Sequence, residues 1–164
     1  MFKTHHLSLA VAFALLFVSL SVAAAPGKAV GTVSVDGTTT TLTLAALSSA
    51  ENLFDSKKTD TIVTLTDKPL GDTAAEDDIG LSMKARRGDL VALMLRIDGD
   101  KLLNVGLMYK GLSGVVKLPG AWFQYAATGK GAGTLKLAKR DFNGHSYACE
   151  LEFSATAAAR PAAR

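Results

Sequence analysis

The feature that most constrains this chain is a period-two alternation of apolar and polar residues, cut repeatedly by turn dipeptides. It is clearest in AVGTVSVDGTTTTLTLAAL, residues 29–47. A β-strand turns successive side chains to opposite faces, so this pattern predicts half-buried strands. Asp36-Gly37 supplies two residues that tolerate positive φ, which a two-residue hairpin turn requires. With that loop Val35 faces Thr38, Val33 faces Thr40 and Gly31 faces Leu42. Val33, Val35, Leu42 and Leu44 then share one face, and Thr32, Ser34, Thr39, Thr41 and Thr43 the other. A slip of one residue destroys that division, so the turn and the register support each other.

The same signal continues. TDTIVTLTDKPL reads as a strand ended by Pro69, because proline cannot donate to a ladder. DLVALMLRID and KLLNVGLMYK flank Gly99-Asp100 and form a second hairpin. The first of that pair is apolar on both faces, with Val91, Leu93, Leu95 and Ile97 on one and Leu90, Ala92 and Met94 on the other. Such a strand is covered on both sides. SGVVKLPG reads as a short edge strand, and AWFQYAAT and GTLKLAKRD as two more. In the last hairpin a three-residue loop, Phe142-Asn143-Gly144, is expected to place Leu137 opposite Cys149 and Leu135 opposite Leu151. Tyr147, Cys149, Leu151 and Phe153 then point inward, and Ser146, Glu150 and Glu152 outward.

One segment breaks the alternation. DTAAEDDIGLSMKARRGD, residues 72–89, places acids before bases. Thr73 and Glu76 have the spacing of a capping box. Glu76, Asp77 and Asp78 suit a helix N-terminus, and Lys84, Arg86 and Arg87 its C-terminus. Gly88 suits the stop. Ala75, Ile79 and Met83 form an i, i+4 stripe, predicted to pack on the second apolar face of the 90–98 strand. Gly80 counts against the helix. The fold expected is mainly β: an antiparallel sandwich or partly closed barrel of about eight strands with one packed α-helix, the alternative being α+β.

The N-terminus is a targeting signal. Lys3 and two histidines precede an uncharged apolar run from Leu7 to Val22, followed by small residues. That is the three-part pattern of a secretory signal peptide, and the run is short for a membrane span. Residues 1–24 are therefore read as a signal peptide, 25–154 as one β-rich domain and 155–164 as a frayed Ala/Arg tail. The expected location is periplasmic or secreted, with no membrane span after cleavage. Cys149 is the single cysteine, so no intramolecular disulfide can form. The domain must instead rely on its core, which a chain of this length can supply. A net charge of +3 for the whole chain points to no nucleic-acid partner.

Read in order, the hairpin, FDSKKTDTIVTLTDKPL, the helix, GDLVALMLRIDGDKL and a Tyr-bearing strand resemble a set of small exported bacterial proteins. The resemblance covers most of the mature chain and implies a single exported domain. That set carries no assigned activity and lends no functional residue.

Chemistry is sparse. His145 and Cys149 fall on one strand face, but roughly 13 Å apart along the backbone, too far for a dyad. Cys149 lies among Tyr147, Leu151 and Phe153 and reads as a small apolar residue. Ser113 lacks the strand–elbow–helix context of a nucleophile. Glu150 and Glu152 are about 6.6 Å apart on one face, a spacing open to two-carboxylate hydrolysis, or simply a solvated face. Asp98 and Asp100 lack the remaining ligands of a calcium loop. Met83, Met94 and Met108 are soft enough for copper(I), or fill the space between helix and sheet. TGKGAGT does not match a phosphate-binding loop. No metal, cofactor or catalytic group is expected from these patterns.

Two features remain. In AWFQYAAT the alternation turns Trp122 and Gln124 one way and Phe123 and Tyr125 the other. An aromatic beside an amide at a barrel mouth can hold a small amphipathic molecule or sugar, so Trp122, Gln124 and Tyr125 are the candidate ligand residues. The loop SSAENLFDSKKTD carries Phe54, Lys57 and Lys58, candidate contacts for an envelope protein partner, favoured if Phe54 is exposed. The leading expectation is a non-enzymatic binding domain. The alternatives are a protein-interaction module of the envelope, such as a hydrolase inhibitor or assembly factor, and a carboxylate-dependent hydrolase.

Overall fold

The computed structural model describes residues 27–52 and 54–158. The expected signal peptide and the last six residues of the expected tail lie outside them. Within them the chain forms strands β1 (Lys28–Val35), β2 (Thr38–Thr41), β3 (Leu44–Glu51) and β4 (Thr59–Thr66), then helix α1 (Asp78–Arg87). Strands β5 (Ala92–Asp98), β6 (Lys101–Met108) and β7 (Val116–Pro119) follow. A 3₁₀ turn (Gly120–Trp122) leads into β8 (Gln124–Gly129), β9 (Ala132–Phe142), β10 (His145–Ser154) and the two-residue β11 (Thr156–Ala157). The sheet order is β7-β6-β5-β4-β3-β1-β10-β9-β8, antiparallel throughout, and the sheet curls into a half-barrel. The fold is mainly β with one packed helix, as the alternation requires.

The first hairpin has the expected register, with Val35 opposite Thr38 and Val33 opposite Thr40. Its return strand, however, bends after Leu42. The first half pairs with β1; the second leaves β1 after Lys28 meets Leu44 and pairs along its whole length with β4. The bend breaks the alternation, so Leu42 and Ala45 are buried while Leu44 is only half-buried. The pairing also runs on to Glu51, through serines expected to open a loop. β11 fills part of the edge that β3 exposes where it leaves β1. It pairs in parallel with Ala46 and Leu47, and the Ala158 N–H donates to the Leu47 carbonyl. Residues 155–158, expected in the frayed tail, are thus hydrogen-bonded to the domain.

The last hairpin keeps Leu137 opposite Cys149 and Leu135 opposite Leu151. The loop itself is Asn143-Gly144, both at positive φ, because Phe142 already pairs with His145. The third loop residue of the sequence reading is absorbed by a bulge in β9, where Ala138 and Lys139 stand opposite Ala148. A bulge and a longer loop shift the register equally, and the alternation alone does not separate them.

Helix α1 starts one turn later than a Thr73–Glu76 capping box implies. Asp77 is the N-cap, and its carboxylate accepts from the Gly80 N–H at 2.9 Å. Gly88 ends the helix in the left-handed conformation as expected. The packing face differs from the predicted stripe. Leu81 and Ala85 are buried, whereas Ile79 and Met83 are 71% and 55% exposed. Ala75 is buried ahead of the helix, where its carbonyl accepts from the Thr64 hydroxyl at 2.6 Å. Leu81 and Ala85 are themselves an i, i+4 pair, so the helical period holds but the buried stripe is a different one.

Two cores result. The larger lies on the inner face of the curled sheet and includes Val33, Leu42, Val63, Leu65, Leu93, Leu95 and Phe153. The smaller holds Leu81 and Ala85 of the helix against Leu90, Ala92 and Met108. The 90–98 segment is therefore covered on both faces, as its composition demanded. No helix among the described residues is long and apolar enough to cross a membrane.

The ends of the half-barrel differ. At one end the Asp36-Gly37 and Asn143-Gly144 turns lie together. Asp36 accepts from the Ser146 N–H at 2.8 Å and sits 2.7 Å from His145 Nδ1. Trp122 packs its ring edge-to-face on Phe142 (5.2 Å between centroids), with the Arg140 guanidinium 4.7 Å from its centre. At the other end the β3–β4 loop, the Gly99-Asp100 turn and the Lys130-Gly131 turn stand apart and leave an open mouth.

Candidate ligand-binding mouth

The mouth is a depression of about 600 Å³ lined by Thr61, Ile97, Gly99, Asp100, Tyr125 and Lys130, together with small residues of the β8–β9 hairpin. That volume lies within the usual range for small-ligand sites. Its apolar part is Tyr125, packed against the core to which Ile97 belongs, and the greater part of its lining is polar. Thr61 pairs with Ile97 across β4 and β5, so the floor passes from apolar to polar within one cross-strand row.

Each wall has a local cause. Asp100 belongs to the two-residue turn between β5 and β6. Lys130 belongs to the turn between β8 and β9, which Gly131 makes possible. Gly131 has φ +73°, and a Cβ there would stand 2.8 Å from Leu47 Cδ1. A side chain would be strained at that φ and would push Leu47 aside, so glycine suits a turn packed this closely on β3. Across the seam, Gly120 lies against the Leu102 carbonyl with no room for a side chain. That contact anchors the 3₁₀ turn on β6 and fixes where β8 begins.

Tyr125 is half-buried. Burial, and then the Asp100 carboxylate, push its phenol above the ordinary tyrosine value. The hydroxyl therefore stays protonated and is available as a donor. The mouth thus offers one aromatic ring, a neutral phenol, a threonine hydroxyl and one charge of each sign. That set can hold a molecule with an apolar face and polar groups at its rim.

The braces of the mouth are buried. Asp60 has a fully buried side chain and receives the Asn52 Nδ2–H and the Arg96 Nε–H, both at 2.5 Å. Asn52 Oδ1 in turn accepts from the Phe54 and Asp55 N–H groups at 2.9 and 3.0 Å. Arg96 also donates to the Glu51 carbonyl. One ion pair therefore fixes both the end of β3 and the loop after it.

The three residues expected to form one site are brought together only in part. Tyr125 faces the mouth. Trp122 belongs to the 3₁₀ turn, not to a strand, and is committed to Phe142 and Arg140 at the opposite end. Gln124 is on the outer face, opposite Lys136. It lines an open groove of about 590 Å³ with Thr134, Lys136, Glu150 and Glu152, and Tyr125 borders this groove as well as the mouth. The alternation was right for Phe123 and Tyr125, which both turn inward, but it was extended one residue too far back for Trp122.

The other candidates are placed as follows. Glu150 and Glu152 share the outer groove, and Glu150 pairs with Lys136 at 3.1 Å. Cys149 is buried, and desolvation pushes its thiol up to about 12, so it is no nucleophile. His145 is engaged with Asp36. Met108 and Met94 pack between helix and sheet, whereas Met83 lies outside that cluster. Among the described residues no group of three or more His, Cys, Asp or Glu is arranged to hold a metal ion. Phe54 is 89% exposed, and Lys57 and Lys58 are exposed beside it.

Thr61, Asp100 and Lys130 were not singled out by the sequence. The signal that could have found them is the pair of two-residue turns facing one sheet end, which needs the strand order to be known. No protein family, curated protein or solved structure matches this chain.

Proposed function

We propose that the protein is an exported, non-enzymatic binding domain that takes a small amphipathic molecule or sugar in the mouth of the half-barrel. The observation that carries this reading is the position of Tyr125, half-buried against the core at the edge of an open cleft, with Asp100 and Lys130 on the walls. Aromatic rings with a polar tip in such a setting stack on flat apolar faces and donate one hydrogen bond. Export is supported by the apolar N-terminal run, and a periplasmic or secreted location follows from it.

The test is native mass spectrometry of the mature protein isolated from its own host. A discrete small-molecule adduct is expected, retained by Trp122→Ala and lost in Tyr125→Ala. An adduct unaffected by Tyr125→Ala places the ligand elsewhere.

A second reading is favoured by Phe54. An aromatic ring 89% exposed, on a loop held by a buried ion pair, is a preorganised anchor for a protein partner. Lys57 and Lys58 beside it suit a partner with an acidic rim. In the same experiment this reading expects a second protein at fixed stoichiometry, released by Phe54→Ala. Retention of that protein by Phe54→Ala removes the loop as its contact.

A further inference from the structure

The two end strands of the sheet are built differently. β7 is four residues long and carries Lys117 and Pro119, both usual guards of an exposed edge. β8 has neither charge nor proline, and every residue in it but the half-buried Tyr125 is exposed. Among the described residues β9 is the only strand that pairs with it.

That pairing decides which backbone groups are left over. A Cβ at Gly133 would stand 2.5 Å from the Ala126 carbonyl oxygen, so that carbonyl is turned toward β9. Backbone groups alternate in direction along an antiparallel strand. The N–H and C=O groups of Tyr125 and Ala127 therefore point away from β9. No backbone hydrogen bond on that side joins them to another described residue. The irregular step in the pairing falls after Ala127, so residues 124–127 keep regular strand geometry. Open space borders β8 on both faces. Tyr125, Ala127 and Gly129 line the mouth, while Gln124, Tyr125 and Ala126 line the outer groove.

The chemistry left exposed is a straight row of alternating donors and acceptors, with Tyr125 and Ala127 about 6.8 Å apart. A second backbone in extended form repeats its own donors and acceptors at that interval, which a sugar does not. The mouth lies between β8 and the ends of β4 and β5, so what enters it has a wall on either side. A lone segment meets that condition. The β8 strand of a second copy would bring its own β9 and β10 with it.

Alternation and charge set the pattern of that segment. Residues opposite Tyr125 and Ala127 turn their side chains into the mouth beside the tyrosine ring, and the residue between them turns outward. Asp100 stands at the Tyr125 end, and Lys130 follows Gly129 at the other. Antiparallel pairing is the more stable of the two directions.

We propose that β8 takes up an extended peptide as a further antiparallel strand, with alternate apolar side chains in the mouth, an acidic residue near Lys130 and a basic one near Asp100. This rests on the reading of the mouth as a ligand site and narrows its amphipathic ligand to a peptide.

The probe is a library of peptides of roughly six residues, the common length of a strand, acetylated and amidated at their ends. Each has an acidic residue toward the N-terminus, apolar residues at alternate central positions and a basic residue toward the C-terminus. Affinities for the mature protein are measured by calorimetry, and the best binder is remade with single backbone N-methyl groups. Methylating an N–H that faces β8 is expected to weaken binding about tenfold, and methylating its neighbour, which faces away, to leave binding unchanged. Ala127→Pro removes an outward N–H at a position where the β9 ladder loses nothing, and should weaken binding by a similar factor. Lys130→Glu should cost about threefold at low salt. The methylation series needs no variant of the protein, so it decides the question even where Ala127→Pro fails to fold.

Binding that tolerates methylation equally at every position overturns the strand pairing and leaves the mouth as a ligand site. So does the lack of any peptide binder beside a Tyr125-dependent, non-peptide adduct from the host. A concentration-dependent dimer dissociated by Ala127→Pro makes a second copy the occupant and also overturns the proposal. No peptide binder together with no Tyr125-dependent adduct overturns both readings.

Discussion

At the closed end of the half-barrel, two two-residue turns meet through side chains that water reaches freely. At the mouth, the β3–β4 loop hangs on an ion pair whose carboxylate is fully buried. The difference follows from what each end must do. Asp36-Gly37 and Asn143-Gly144 already hold their strands by backbone geometry, so the Asp36–His145 contact has little left to fix. Between Glu51 and Thr59 none of the described residues has a positive φ; the loop turns instead through Asn52 Oδ1 and the Asp55 carbonyl, and Asn52 ties those turns to Asp60. The walls of the mouth must be held apart as well as together, and buried polar bonds fix position in a way that apolar packing, which would close the gap, does not.

The largest effect expected from this contrast is at Asp60. Replacing it by Ala leaves the Arg96 guanidinium without its partner and frees Asn52, at a cost of about 3–5 kcal/mol, the usual cost of breaking a buried pair. Urea unfolding monitored by circular dichroism measures it. A loss no greater than that of an exposed control would mean the mouth does not depend on the pair.

At the closed end, Trp122→Ala should cost about 2 kcal/mol, less than a fully buried tryptophan, because the ring is half-buried against Phe142 and Arg140. It should leave ligand binding at the mouth intact. The same unfolding curve, with a binding titration alongside, separates the two claims.

Each end also holds one buried hydroxyl without a partner, Tyr147 at the closed end and Ser48 at the mouth. Tyr147→Phe is expected to stabilise the fold by about 1 kcal/mol and to change nothing else. Ser48→Ala should likewise be neutral to stabilising, since its hydroxyl is buried on the sheet face turned away from Thr61. A loss of stability in either variant would mean that its hydroxyl is not without a partner.

The smallest effect is electrostatic. The His145 contact, then the Ser146 N–H, hold the Asp36 carboxyl below its ordinary value. A depressed carboxyl stabilises the fold above the unfolded-state value and loses that contribution as pH falls through the folded one. The difference in melting temperature between the parent and Asp36→Asn should therefore be present at neutral pH and vanish on strong acidification. Because Asp36 is exposed, added salt should shrink it too. A difference independent of pH would assign the effect to the turn conformation instead.

How much of this was legible beforehand depends on the range of the interactions. The first hairpin, the two-faced strand, Leu137 opposite Cys149 and the helix stop at Gly88 are local, and the sequence carries them in adjacent residues. The helix start was misplaced because Thr73–Glu76 and Asp77–Gly80 both have capping spacing, and the Thr64 hydroxyl binding the Ala75 carbonyl decides between them. That contact links distant residues and leaves no periodic trace. The same holds for the site. That Tyr125 shares a face with Phe123 was legible; that this face is the inner one was not. The Tyr125 neighbours Thr61, Asp100 and Lys130 come from three other segments, brought together only by the curl of the sheet. Trp122 was misassigned because a 3₁₀ turn follows Pro119, and the alternation was carried across it.

The most direct test of the central claim is amide chemical-shift mapping of the isotopically labelled mature protein titrated with the small molecule recovered from its host. Shifts clustered at Thr61, Gly99, Asp100, Tyr125, Ala127 and Gly131 are the predicted result. Shifts centred on Trp122, Arg140 and Phe142, or on the outer groove at Gln124 and Glu150, would contradict it.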